Sequence, residues 1–486
     1  MNTQTRGLPV AIIGAGPVGL AAAAELVQRG FTPLILEADH SIAANLLSYH
    51  HVRLFSPWRY NMAHAARKLL EESGWQSPEP EALPTAGEII TAYLQPLAEL
   101  PSIAPHLHLD HRVVSITRQG MDKLKTKGRE SASFVLRVRT PDGECDMLAQ
   151  AVIDAAGTWS QPNPLGANGL PALGEAAMAA HIAYGMPDIL GAERVRYAGK
   201  RVLVVGAGHS AVGNLIALGE LTAQEPATSI AWALRGNDLS KVFGGGDADQ
   251  LPARGQLGKR LRALQQDGRL EVHPGFHVHS LQTSAVAPGK IRVTDNNGRD
   301  AHTAIDQLDE IIVATGARPD LSMTRELRLQ LDPWLESAAA IGPLIDPNLH
   351  SCGTVRPHGH RELAHPEPGY YTVGAKSYGR APNFLMATGY EQVRSVVAAL
   401  ANDMAAADKV ELALPETGIC SVSSVLGTAP ATTGCCGGAA QKDASACCLL
   451  DEQEKDKGNS GCGCAKPTAT VTPAMAKPKE ATGCCG

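Results

Sequence analysis

The chain has 486 residues, enough for two or three domains of ordinary size, and its 44% hydrophobic and 19% charged content is globular, which excludes a wholly disordered chain. A net charge of -6 with no Lys/Arg stripe excludes a surface that tracks phosphate backbones, so no nucleic-acid partner is expected. The apolar run from Leu8 to Val27 is interrupted by Gly14, Gly16, Pro17 and Gly19 and lacks a basic lead, so it reads as neither membrane span nor signal peptide; a cytoplasmic protein with no membrane partner is expected.

In chain order, the opening predicts a strand over Pro9–Ile13, a glycine turn, a helix from about Pro17 to Arg29 and a strand from Phe31 to Leu36 that ends at Glu37. The turn is Gly14-Ala15-Gly16-Pro17-Val18-Gly19. Gly14 permits its tight bend, Gly16 lets the backbone approach a pyrophosphate, and Gly19 lets the helix pack closely on the strand. The helix N-terminus offers amide donors and the positive end of its dipole, and Glu37 stands where it can take ribose hydroxyls. Pro17 belongs to the same nucleotide-binding set.

Strands follow over Phe134–Arg139 and Ala151–Ile153, the latter running into Asp154-Ala155-Ala156-Gly157-Thr158. A linker carries Ala180-His181-Ile182-Ala183-Tyr184, in which His181 is either a catalytic candidate or a hydrogen-bonded linker histidine. From Lys200 the opening pattern repeats: strand Arg201–Val205, turn Gly206-Ala207-Gly208-His209-Ser210-Ala211, helix to about Leu221, strand Ser229–Leu234. Ala211 takes the third glycine's place, which the motif tolerates. His209 can donate to a pyrophosphate, cap the helix or stand exposed. This second strand ends at Arg235 instead of an acid; a carboxylate there would repel a 2′-phosphate and an arginine can pair with it, so NADPH is favoured over NADH unless Arg235 is a solvated loop cation. Strand Glu310–Val313 runs into Ala314-Thr315-Gly316, and the stretch Tyr370 to Leu400 predicts a strand, a turn at Gly374 and an apolar helix returning to the first nucleotide. Gly157, Gly316 and Gly374 complete the expected cofactor contacts.

The predicted class is therefore α/β, with two Rossmann-type dinucleotide-binding domains and a disordered Cys-rich C-terminal tail. The expected layout is 8–165 for the first part of the first nucleotide domain, 166–325 for the second with its linker, 326–404 for the return segment and 405–486 for the tail. Only Cys145 and Cys352 precede residue 420. The tail holds Cys420, three vicinal pairs, Cys435-Cys436, Cys447-Cys448 and Cys484-Cys485, and the couple Cys462 and Cys464. Its Gly, Ala, Thr, Pro and Lys cannot bury enough apolar surface to offset ordering, and its thiolates suit soft ions such as zinc, cuprous copper, mercury or trivalent arsenic. The usual C-x2-C knuckles of structural zinc are absent.

The order of these motifs, with Val52-Arg53-Leu54-Phe55-Ser56-Pro57-Trp58, Leu83-Pro84-Thr85 and Tyr93-Leu94, resembles two-dinucleotide-domain flavoproteins and specifically class B flavin monooxygenases, over about residues 8 to 400. The resemblance implies FAD on the first turn and NADPH on the second, reduction of the one by the other, and transfer of an oxygen atom from O2 to a small molecule with a soft sulfur, nitrogen or arsenic centre. It also implies a flavin-facing Asn, for which Ser56 lies nearest and Asn61 follows. The sequence departs from the family's linker fingerprint, since Glu175 and Ala177 occupy the aromatic and glycine places before His181. The tail is similar to thiol-rich segments of flavin monooxygenases associated with arsenic resistance. Mercuric reductases also present a C-terminal vicinal pair to a flavin, so reduction of a metal, metalloid or disulfide at the tail is the alternative, and sequestration by the tail without turnover is a second. Ordinary disulfide reductases carry paired cysteines beside the flavin or in the NADPH domain and an Asp where Ala375 stands; neither feature is found here.

Overall fold

The computed structural model describes residues 7–412 apart from 245–250, 297–302, 349–354, 356 and 383, together with residues 455 and 457. The chain divides into two units, 1–422 and 423–486, and the description below concerns the first. All nine tail cysteines from Cys420 onward, and with them the proposed soft-metal ligands Cys435, Cys436, Cys447, Cys448, Cys462, Cys464, Cys484 and Cys485, lie outside the described residues.

Short β-branched runs build two five-stranded parallel sheets. In the first, the order is Tyr370–Thr372, Ala151–Asp154, Val10–Ile13, Pro33–Leu36, Leu107–His108. In the second it is Glu271–Pro274, Ser229–Leu234, Arg201–Val205, Glu310–Val313, Ile182–Tyr184. Val10, Ala11 and Ile12 are fully buried, as are Val202, Leu203 and Val204, because parallel strands are covered on both faces. The register places Ile13 beside both Leu36 and Asp154, and Val205 beside both Ala233 and Val313, so the carboxyl ends of each central trio converge on a glycine turn.

The two halves repeat each other further. A three-stranded antiparallel sheet precedes the closing strand in each: Arg112–Arg118, Phe134–Thr140 and Gly143–Ala149 ahead of Ala151–Asp154, and Val278–Thr283, Ile291–Asp295 and Ala304–Leu308 ahead of Glu310–Val313. Helix Pro17–Gln28 packs against helix Met386–Leu400, whose apolar residues return to the first sheet as the sequence predicts. The α/β class with two Rossmann-type units is the observed one.

Boundaries shift where local hydrogen bonds compete. The second strand starts at Pro33 and not at Phe31, because the Phe31 N–H donates back to the Leu26 carbonyl (2.9 Å) around Gly30 at φ +75°, closing the helix end. At the other end, ordered chain continues past residue 405: Asp403 caps a short helix, Met404–Asp408, by accepting from the Ala406 N–H, and Ala407 is buried. Arg394 donates to the Ala406 carbonyl, and Asp408 pairs with Arg361 and His360, which fastens this segment through residue 408. No helix among the described residues is long and apolar enough to cross a membrane.

Candidate functional site

The first glycine turn shows three different constraints. Gly14 has φ +96°, and a Cβ there would lie 3.0 Å from the Ala155 carbonyl oxygen; a Cβ on Gly19 would lie 1.9 Å from the Gly14 carbonyl oxygen. Those two glycines are demanded by the chain itself. A Cβ on Gly16 would meet no protein atom within 4 Å, and Gly16 lines a cavity of about 530 Å³, within the range of ligand pockets. That space is open to a bound group, and Pro17 at the first helical position leaves the helix entrance without an intrahelical obligation.

The cavity is walled by this turn, Glu37 to Asp39, Asn45, Tyr49, the segment from Ala155 to Ser160, and Gly374 to Lys376. Glu37 accepts from the Ala15 N–H (2.7 Å) and the Asp39 N–H (3.1 Å), so it braces the turn at the cavity edge. Burial pushes its carboxyl above the usual range, against the pull of those backbone donors. Gly157, at φ +70°, and Gly374, at φ +69°, both line the cavity, and the Gly374 N–H donates to Gln392 (2.7 Å) from the returning helix. Tyr49 and Trp159 form an aromatic wall with ring centroids 4.7 Å apart, and the Trp159 indole donates to Ser48 (2.8 Å).

A buried ion pair closes one end. Lys376 Nζ donates to Asp154 Oδ2 at 2.7 Å, the Tyr370 hydroxyl donates to the same oxygen at 2.8 Å, and the Ala156 N–H reaches Oδ1 at 3.2 Å. The lysine and aspartate side chains are 1% and 0% exposed, so each charge depends on the other for solvation. Burial, with the Asp154 charge beside it, holds the Tyr370 hydroxyl well above its ordinary pKa and therefore neutral. Lys376 also lines the cavity, so a fixed cation stands at the site. Sequence reasoning passed over this trio; the signal was a lysine inserted between an apolar strand and an apolar helix.

The second turn follows the same logic with a more open surround. Gly206 has φ +136° and a Cβ there would lie 2.2 Å from the Ala314 carbonyl oxygen, while a Cβ on Gly208 meets nothing within 4 Å. Ala211 is fully buried, and the Trp232 indole donates to the Gly206 carbonyl (2.8 Å). Gly316, at φ +84°, follows the strand that Gly206 abuts, with Thr315 tied to Asn163. His209 is exposed at the helix entrance next to half-buried Ser210, and its ring lies 5.1 Å from that of Phe55, bringing the second turn against the first body. Arg235 is exposed, with Nη1 on the Ala167 carbonyl at 3.2 Å.

The candidate catalytic residues fall elsewhere. Asn61 is buried, but its amide donates to the Ser56 and Pro57 carbonyls (2.7 and 3.0 Å) and accepts from the Ser56 hydroxyl (3.1 Å), so its hydrogen-bonding capacity is spent locally. Neither residue is among the cavity lining. His181 faces Glu310 at 3.3 Å, and Arg196 shares that carboxylate (2.6 Å). Glu310 begins its strand, so this cluster lies at the sheet edge opposite the glycine turn.

A sequence model of the pyridine nucleotide-disulphide oxidoreductase family matches residues 11–339. Indole-3-pyruvate monooxygenase YUCCA1 of Oryza sativa subsp. japonica is 29% identical over 206 residues, which span 41% of this chain and 42% of that protein. Among solved structures, bacillithiol disulfide reductase Bdr (YpdA) from Bacillus cereus superimposes with TM-score 0.58 at 19% identity, covering 82% of this chain and 99% of that one. FAD-bound DfoA, the cadaverine monooxygenase of Erwinia amylovora, does so with TM-score 0.56 at 12% identity over 88% and 99%. At those identities the superpositions speak for the fold.

Proposed function

The chain belongs to the pyridine nucleotide-disulphide oxidoreductase family, and from that premise we propose that it is an NADPH-dependent FAD monooxygenase acting on a soft nucleophile, a sulfur, nitrogen or arsenic centre, with O2 as the second substrate. The observation that carries this reading is the cavity: it is walled by dinucleotide-binding backbone, and no cysteine is among its described lining. Ordinary disulfide reductases of this architecture carry a thiol pair beside the flavin or inside the NADPH domain; here only Cys145 and Cys352 precede residue 420, and Cys145 is exposed on a strand of the antiparallel sheet. The monooxygenase named among the relatives agrees with this direction, over the part that it matches.

The cavity fits FAD because the open side of Gly16 leaves room at a helix entrance for a pyrophosphate. Gly14, Gly16, Pro17 and Gly19 would hold that pyrophosphate, Glu37 the ribose, and Gly157 and Gly374 the remaining backbone approach. Bound there, FAD would supply the redox chemistry between NADPH and oxygen. The chain's own work is positional. Lys376, held by Asp154, would hold its ammonium group against the bound cofactor, and Tyr49 and Trp159 would screen the cavity from water. Gly206, Gly208, His209, Ser210, Ala211 and Gly316 would bind NADPH, and Arg235 would exchange the Ala167 carbonyl for the 2′-phosphate. Residues 8–165 and 326–404 would form the FAD domain around an inserted NADPH domain, 166–325, with the Cys-rich tail as a scavenger of soft metal or metalloid. Ser56, Asn61 and His181 receive no catalytic role in this scheme.

A second reading is reduction of a tail-bound metal, metalloid or disulfide, favoured by the Cys484-Cys485 pair. Anaerobic mixing with NADPH, followed by separate addition of oxygen or of a disulfide, decides between them. Reoxidation by oxygen at a rate that tail alkylation leaves unchanged is expected; reoxidation only by the disulfide, abolished by alkylation, would overturn the proposal.

A further inference from the structure

Away from the cavity, a short turn after helix Ala44–Leu47 carries His50 and His51, and Asp188 reaches it from the linker that precedes the second glycine unit. The ligand atoms of the three side chains all lie within 4.8 Å of one another. Four features make this more than a chance meeting of polar groups. His51 Nδ1 is buried with no hydrogen-bond partner, although the Pro187 backbone acts on the same ring. His50 Nδ1 lies 3.1 Å from the Leu47 carbonyl, which fixes the tautomer that leaves Nε2 as a free lone pair, the outer hydrogen bond that metal-bound imidazoles use. The Asp188 oxygens each accept one backbone N–H, from Gly191 (3.1 Å) and Ala192 (2.9 Å), so the carboxylate is held in place with lone pairs to spare. A Cβ on Gly191 would lie 2.3 Å from Asp188 Oδ2, so the linker backbone is fitted round that carboxylate.

We infer that His50, His51 and Asp188 form a binding site for a divalent cation of the zinc class, which ties the wall of the first nucleotide cavity to the linker of the second. Two imidazoles and one carboxylate are a borderline-hard N2O set that suits zinc, and tetrahedral zinc at about 2.0–2.2 Å from its ligands leaves a fourth position for water. The three ligand atoms lie within 4.8 Å of one another, so a shared cation requires them to close on it by an ångström or so. The link has mechanical consequences: Tyr49, next to His50, lines the cavity, and Asp188 stands between strands Ile182–Tyr184 and Arg201–Val205. A cation there restrains the approach of one nucleotide unit to the other, independent of what the enzyme oxidises.

The tail thiols would mask this site, so the test uses the full chain with its cysteines alkylated, titrated with zinc chloride by calorimetry. One zinc per chain is expected. Asp188→Asn, which keeps an acceptor for one of the two backbone N–H groups, His51→Gln and exposed His50→Gln should each weaken binding at least tenfold while flavin colour and circular dichroism stay unchanged. Zinc should also slow amide exchange over 188–193 in the parent and not in the variants. Absence of zinc binding by the alkylated parent, or equal binding by the parent and a correctly folded His50→Gln chain, would overturn the site.

Discussion

The two glycine turns answer one steric problem and differ in what surrounds them. In both, the first glycine abuts the carbonyl that follows the closing strand, Ala155 or Ala314, and the second opens on free space. The first turn is enclosed, with a braced acid, an aromatic wall and a buried Lys376–Asp154 pair. The second presents an exposed His209 and an exposed Arg235. Enclosure suits a group that stays through turnover, and exposure suits a nucleotide that must enter and leave, so under the proposed function the same backbone motif would serve a resident cofactor in one place and an exchanging one in the other.

The largest effects should come from filling the two open glycines. Gly16→Val puts a side chain into the space proposed for the pyrophosphate, with no protein atom within 4 Å of the added Cβ, so the purified chain should fold yet be colourless. Gly208→Val should stay yellow and lose reduction by NADPH. Flavin content and anaerobic bleaching separate the two; a yellow Gly16→Val protein would dissolve the distinction between the turns.

Next comes the ion pair. Lys376→Met leaves the Asp154 carboxylate buried with only Tyr370 and the Ala156 N–H, and breaking such a pair costs about 3–5 kcal/mol. Denaturant unfolding should show that loss in the apoprotein as well as the holoprotein. A loss confined to the holoprotein would mean that the lysine serves the ligand alone.

Smaller still is the effect at the second turn's rim. Arg235→Ala should raise KM for NADPH over that for NADH by roughly ten- to hundredfold, the worth of a charge-assisted contact of about 1.5–3 kcal/mol. An unchanged preference would return Arg235 to the status of a loop cation held by Ala167.

Separate from turnover is a pH effect on the stability of the first helix. Burial raises the Glu25 carboxyl from 4.5 to about 7, against the nearby charges of Arg29 and Arg394. A carboxyl raised on folding favours the folded state below its unfolded pKa, and that contribution is lost as pH climbs through the folded value. Glu25→Gln should therefore be more stable than the parent at pH 8, and the difference should shrink towards pH 5, as thermal melts at the two pH values would show.

Legibility in the sequence followed the range of the interactions. Strands Arg201–Val205 and Ser229–Leu234 stand where their apolar runs and flanking glycines put them, since both signals are local. Phe31 reads as strand on composition, but a backbone hydrogen bond to Leu26 claims it for the helix end. Met404–Asp408 is invisible as a helix in a segment rich in alanine, and is held by Arg394 and Arg361 from distant positions. The Lys376–Asp154 pair spans 222 residues, beyond any motif. Ser56, Asn61 and His181 were selected by likeness of short strings; what decides their surroundings is where the amide and imidazole bonds go, and those go to the Ser56 and Pro57 carbonyls and to Glu310.

Under the proposed function, electrons from the enclosed cofactor leave through oxygen and not through the tail. That route is tested by replacing all nine cysteines from Cys420 to Cys485 with serine in the full chain, since serine oxygen neither exchanges disulfides nor holds soft metals well. NADPH and oxygen consumption are then followed together with an oxidisable thioether or amine present. Flavin content, anaerobic bleaching by NADPH and consumption of both should be unchanged. Preserved flavin and bleaching with all acceptor turnover lost would contradict that route.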